Sequence, residues 1–194
     1  MKNVHEPTYS FLFLVIGLII INTVLCRLAT ALLAPIGQTG VVMFYFPVAF
    51  MLLFTFWFGA YGAISAYIGC FFGAGLLSGI PFEVSIFWAF ANLWQVLIPL
   101  IAFRVFNANV GIENSRDLFH LILFGVILNN IVGAAWGSYT LAAGHIIATT
   151  DIMTVFSTWL IGNIVIILIV VPLALRYFTP KIRKSKLFVN NYWV

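Results

Sequence analysis

Charge is the scarcest property of this sequence. Only 7% of its 194 residues are Asp, Glu, Lys or Arg, against 63% hydrophobic residues. A water-soluble domain of this length has too little interior to hide that much apolar surface. The composition therefore excludes a soluble globular fold and points to an integral membrane protein. Cysteine is almost as scarce. Cys26 and Cys70 both sit inside apolar runs, with no CxxC neighbour and no metal-ligand spacing. They read as small buried apolar residues. The three histidines are dispersed: His145 shares one loop with Asp151, while His5 and His120 are distant. One histidine and one carboxylate make a poor metal site. No Ser, Cys or His falls at a nucleophile-and-base spacing, and there is no phosphate-binding glycine loop. Nucleic-acid signatures are missing too. The expectation is a non-enzyme with no cofactor, no metal and no nucleic-acid partner.

What the chain does have is apolar runs. A spanning helix needs about 20 mostly apolar residues. Six segments qualify, at approximately 11–34, 41–58, 63–79, 85–104, 118–142 and 154–177. The first run exceeds a signal-peptide core and no A-x-A site follows it, so it reads as a retained helix. The expected fold is all-α, a bundle of six transmembrane helices over residues 11–177. A short N-terminus precedes it at 1–10, and a basic and aromatic tail follows at 178–194. With six helices, one side of the membrane holds Lys2, Arg104, Arg116, Arg176, Lys181, Arg183, Lys184 and Lys186. The three loops opposite hold no lysine or arginine. The positive-inside rule then makes both termini cytoplasmic. The expected location is a bacterial or archaeal plasma membrane, crossed several times. The basic tail would touch anionic lipid headgroups of the bilayer or dock a cytoplasmic partner protein.

Arg27 is the remaining basic residue. It lies about seven residues before the outer end of the first run, roughly 10 Å deep at 1.5 Å per residue. An unpaired guanidinium there costs about 2.5 kcal/mol or more. Either it snorkels to the outer headgroups, or it faces the bundle and pairs with Glu83, Asp151 or an anionic ligand. Asn22, Asn92, Gln95, Asn129, Asn130 and Asn163 carry amides that lipid cannot satisfy, so each should face protein. They act as glue between helices or converge on a pocket. Asn92 and Asn163 lie at a depth similar to Arg27. Trp88, Trp136, Tyr139 and Trp159 sit at comparable heights, as an interfacial belt or as pocket walls. Gly59, Gly62, Ala63, Ala66, Gly69 and Gly73 recur at three- and four-residue spacing. They predict a close packing seam within the bundle or a dimer contact.

Trp159, Gly162, Asn163, Leu168 and Pro172 read as W-x-x-G-N-x-x-x-x-L-x-x-x-P. This resembles the last helix of the membrane-associated sensor family, first class, whose pattern there is W-x-x-G-D-x-x-G-x-L-x-x-x-P. Pro47, Gly59 and Gly69 resemble that family's aromatic-x-P segment and its two later glycines. Asn92 in "FANLWQVL" falls where the family often has G-N-x-x-E, and "NNIVGAAWGSYTL" resembles its penultimate segment. The likeness spans about residues 43–175. It departs at Asn163, where the family has aspartate, and at Ile166, where it has glycine. The resemblance implies an integral sensor module that signals to an output domain, here on a separate partner protein. The helix count and an outward polar pocket are also similar to the substrate-binding subunits of energy-coupling-factor vitamin transporters. Those dock on a coupling subunit through small residues of their first helix, where this chain has Ala29, Ala31 and Ala34. The leading expectation is a sensor of a small organic ligand, bound from outside near Arg27, Trp88, Asn92, Trp159 and Asn163. Arg27 would supply charge, the amides orientation and the tryptophans the walls. The transporter subunit is the alternative, and a ligand-free structural scaffold the third.

Overall fold

The computed structural model describes residues 9–33 and 42–193. Lys2, His5 and Ala34 lie outside them. Among the described residues the fold is all-α, with no β-strand. Six helices follow in order: α1 (Tyr9–Leu32), α2 (Pro47–Phe58), α3 (Ala60–Ser78), α4 (Phe82–Val105), α5 (Ser115–Ala143) and α6 (Ile152–Ile182). All except α2 are long and apolar enough to cross a membrane. That is the multi-pass pattern expected of the composition.

α2 is the exception. Its 12 residues rise roughly 18 Å, short of a hydrocarbon core of about 30 Å. The expected helix at 41–58 starts six residues late because of Pro47. Proline suits the first helical turn, where its missing N–H costs nothing, and it disfavours helix in the residue before it. Residues 42–46 therefore run as non-helical chain, yet Val42, Tyr45 and Phe46 pack into the core. Non-helical backbone is tolerated at membrane depth only where protein or a cavity covers it. α6 provides that cover: a Cβ on Gly162 would collide with the Met43 carbonyl. Gly162 lies ten residues in from Ile152, so this segment dips roughly 15 Å below the start of α6.

The glycine-rich run of α3 forms a seam inside the chain, against α1. A Cβ on Gly69 would strike Asn22, and one on Gly73 would strike Thr23 and Cys26. Asn22, Cys26 and Ala29 make the matching buried stripe on α1, and Asn22 Nδ2 donates to Ser65 Oγ at 2.9 Å. α3 ends in a π turn, Phe71–Gly75, and a 3-10 turn, Leu76–Ser78. Gly79, at φ 89°, then reverses the chain into Pro81 and α4. Deeper polar glue ties α4 to α5. Gln95 Nε2 donates to Asn130 Oδ1 at 2.6 Å, and Asn129 Nδ2 to the Gln95 carbonyl at 3.1 Å.

α6 continues to Ile182, through both Pro172 and Pro180. Beyond it, residues 183–193 fold back as a strap. Val189 N donates to the Trp57 carbonyl at 2.9 Å, and Ala60 N to the Tyr192 carbonyl at 2.7 Å. Arg104 donates to the carbonyls of Asn191 and Val189 at 2.9 and 3.1 Å. Trp57 Nε1 reaches Thr179 Oγ1 at 3.0 Å. Arg183 pairs with Glu113 at 3.4 Å and also donates to Asn109. The strap thus gathers the α2–α3 corner, the end of α4 and the α4–α5 loop. Arg104, Arg116 and the basic tail share this end. The opposite end carries the α3–α4 and α5–α6 loops.

Candidate functional site

A cavity of about 180 Å³ opens at the end away from the strap. Each wall comes from a different part of the chain. Thr30 ends α1 and Tyr45 belongs to the non-helical segment before α2. Ser78 ends α3, Trp88 and Asn92 come from α4, and Trp159 comes from α6. Trp88 and Asn92 are four residues apart, so they stand one above the other on the same helix face. Ser85 and Gln95 continue that buried polar stripe. On α6 the stripe is Val155, Trp159, Gly162 and Asn163. Gly137 of α5 makes room for the Trp159 ring, because a Cβ there would meet its outer edge. The two indoles meet edge-to-face with centroids 5.9 Å apart, a favourable arrangement.

The walls are neutral. Among the described residues, no Asp, Glu, Lys, Arg or His lines the cavity. Thr30 and Ser78 satisfy each other at 2.8 Å. Asn92 donates its Nδ2 to Cys70 Sγ at 2.9 Å, which leaves its carbonyl oxygen open. Four polar atoms on cavity-lining residues have no hydrogen-bond partner among the described residues: Tyr45 Oη, Trp88 Nε1, Asn92 Oδ1 and Trp159 Nε1. The Tyr45 hydroxyl has the thiols of Cys26 and Cys70 beside it, which are weak partners. Buried polar groups in proteins are nearly always bonded. Four unbonded ones lie on residues around this cavity, each with almost no accessible surface of its own.

Of the five residues expected at a site, Trp88, Asn92 and Trp159 come together in these walls. Asn163 is fully buried one turn further along α6, roughly 6 Å from Trp159 along the axis; neither of its amide atoms is partnered. Arg27 stands apart. It follows Cys26 by one residue, which turns it about 100° out of the buried stripe of α1, onto the exposed face. Its one side-chain hydrogen bond among the described residues is a long 3.5 Å contact to Thr30. It does not line the cavity, and it pairs with neither Glu83 nor Asp151, because the single ion pair among the described residues is Arg183–Glu113. The aromatics divide too. Trp136 and Tyr139 are exposed and line a separate outer groove with Glu83 and Phe87.

Tyr45, Thr30 and Ser78 were not among the expected site residues. Tyr45 lay inside a supposed helix, and only Pro47 signalled otherwise. Thr30 and Ser78 have a signal only in retrospect, as lone hydroxyls at two apolar helix ends. Comparison with protein-family models, with curated proteins and with solved structures returns no match.

Proposed function

We propose that this protein is a multi-pass plasma-membrane sensor that captures a small ligand in the cavity and signals through a separate partner protein. The observation that carries this reading is the cavity itself, walled by Tyr45, Trp88, Asn92 and Trp159. Its placement fits capture from outside. The strap end holds the described basic residues other than Arg27, so the positive-inside rule assigns that end to the cytoplasm and the cavity end to the exterior. Signalling is supported by the course of α6. One continuous helix bears Trp159 at the cavity and Thr179 at the strap. A shift of Trp159 on binding would be felt where a cytoplasmic partner docks. The resemblance of the Trp159–Pro172 stretch to membrane-associated sensors points the same way.

The transporter-subunit alternative requires small residues of α1 to be free for docking. Of these, Ala29 is fully buried in the chain's own core, while Ala31 is exposed. The exposed face of α1 carries Ile16, Ile20, Val24 and Leu28 at four-residue spacing, a lipid-facing pattern.

Native mass spectrometry of gently purified protein tests the capture step. The wild type is expected to retain a small molecule that Trp159→Ala and Asn92→Ala release. A protein that is empty in every preparation and unaltered by both variants would leave only the scaffold reading. Co-purification with a kinase or cyclase and no solute uptake supports the sensor. Uptake with ATPase partners would favour the transporter subunit.

A further inference from the structure

We propose that the outer groove between α4 and α5 holds one phospholipid whose headgroup ends in a cation. This site is separate from the cavity, and the proposal does not depend on ligand capture there. The two helix ends meet closely because residue 144 is glycine, where a Cβ would run into Val84. Around that contact lies a groove of about 450 Å³, about three times the roughly 150 Å³ cavity that admits benzene. Glu83 and Phe87 share one face of α4, and Trp136, Tyr139 and Ala143 share one face of α5.

Depth and polarity match the layout of a lipid. Glu83 is the second residue of α4, at the end of its span. Trp136 lies seven residues in from Ala143, the last residue of α5, or roughly 10 Å along the axis. The groove thus runs from the interface toward the hydrocarbon, as a lipid does. The polar groups of Trp136 and Thr140 are already spent. Trp136 Nε1 donates to the Phe87 carbonyl at 2.7 Å, and Thr140 Oγ1 to the Trp136 carbonyl at 2.8 Å. Phe87 and Trp136 are left to offer carbon, which suits an acyl chain. Phe90 and Trp94 continue the aromatic wall, with centroids 6.4 and 6.2 Å from Trp136.

Charge selects the headgroup. Glu83 is exposed and has no ion-pair partner among the described residues. No Lys or Arg among them lines the groove. A carboxylate there attracts a cation and repels a headgroup that carries only phosphate. The exposed rings of Trp136 and Tyr139 add faces of the kind that hold ammonium and quaternary ammonium groups. A zwitterionic phospholipid puts its cation outermost, at the height of Glu83, and its chains below, along Phe87 and Trp136. A free cation would leave the apolar wall unfilled. A second copy of this chain, paired symmetrically through the same groove, would set one Glu83 toward the other.

Native mass spectrometry of the full chain in detergent, titrated with dioleoyl lipids, tests this. Phosphatidylethanolamine and phosphatidylcholine carry the cation, phosphatidylglycerol carries phosphate alone, and dioleoylglycerol carries no charge. The two zwitterionic lipids are expected to be retained about fivefold more than phosphatidylglycerol. Glu83→Gln is expected to abolish that preference and to leave dioleoylglycerol retention unchanged, a split that a merely structural loss would not give. Ala143→Phe fills the groove from an exposed position and is expected to lower retention of both zwitterionic lipids. Equal or stronger retention of phosphatidylglycerol, or a preference that survives Glu83→Gln, overturns the proposal. So does a dimer that forms in place of the lipid adduct.

Discussion

Asn163 has no exposed surface, and neither end of its amide has a partner among the described residues. A buried polar group left unbonded costs about 1–3 kcal/mol. Leucine has a similar shape and no such cost. Asn163→Leu is therefore expected to raise Tm by a few degrees in thermal unfolding of the purified protein. A fall in Tm would show that the amide is satisfied in the folded protein after all. At this scale the sequence was only half legible. Asn22, Gln95, Asn129 and Asn130 were correctly expected to face protein, because lipid offers an amide nothing. What each one bonds to depends on the helix opposite. Trp88 and Trp159 share helix faces with Ser85, Asn92, Gly162 and Asn163, which separates them from the exposed Trp136. Spacing alone does not make that sorting, since Trp136 lies two turns beyond buried Asn129 on its own helix. Arg27 was misleading because depth says nothing about direction around the helix.

The break at Gly59 sets the geometry of two elements and the strap at once. Its φ of 58° and ψ of −134° suit no L side chain, and a Cβ would run into the Tyr192 carbonyl and the Val189 side chain. Gly59→Ala is expected to displace residues 188–193. Trypsin should then cut faster at Lys184 and Lys186, and Tm should fall by several degrees. An unchanged cleavage rate would mean that the strap is held elsewhere. Helix existence was well signalled by hydropathy, while helix ends were not. The start of α2 was hidden in a continuous apolar run, and Pro47 was its one marker. The end of α6 was set too early, at 177, because Pro180 sits inside the helix instead of ending it. Residues 188–193 look like a loose aromatic tail until the backbone groups around Trp57 and Ala60 are seen to need partners.

For the whole molecule, orientation is the property to test. Ala148 and Ser185 are exposed at opposite ends, and the two native cysteines are buried and so silent to reagents. In intact cells, a membrane-impermeant maleimide is expected to label Ala148→Cys. It should label Ser185→Cys only after permeabilisation. The reverse pattern would invert the topology and place the cavity in the cytoplasm. The distribution of lysine and arginine is what predicts this arrangement, since charge bias needs no tertiary detail. The cavity was not legible, because it is enclosed by segments as far apart as Thr30 and Trp159. That distance also matters while the chain is being made. Trp57 must wait for Thr179, 122 residues later. At 5–20 residues per second that is a delay of roughly 6–25 s. Through that interval α2, too short to span the bilayer, sits beside the ribosome with the partners of its corner still unmade. The short helix thus has a vulnerable window that falls during synthesis, when a chaperone or a protease would find it.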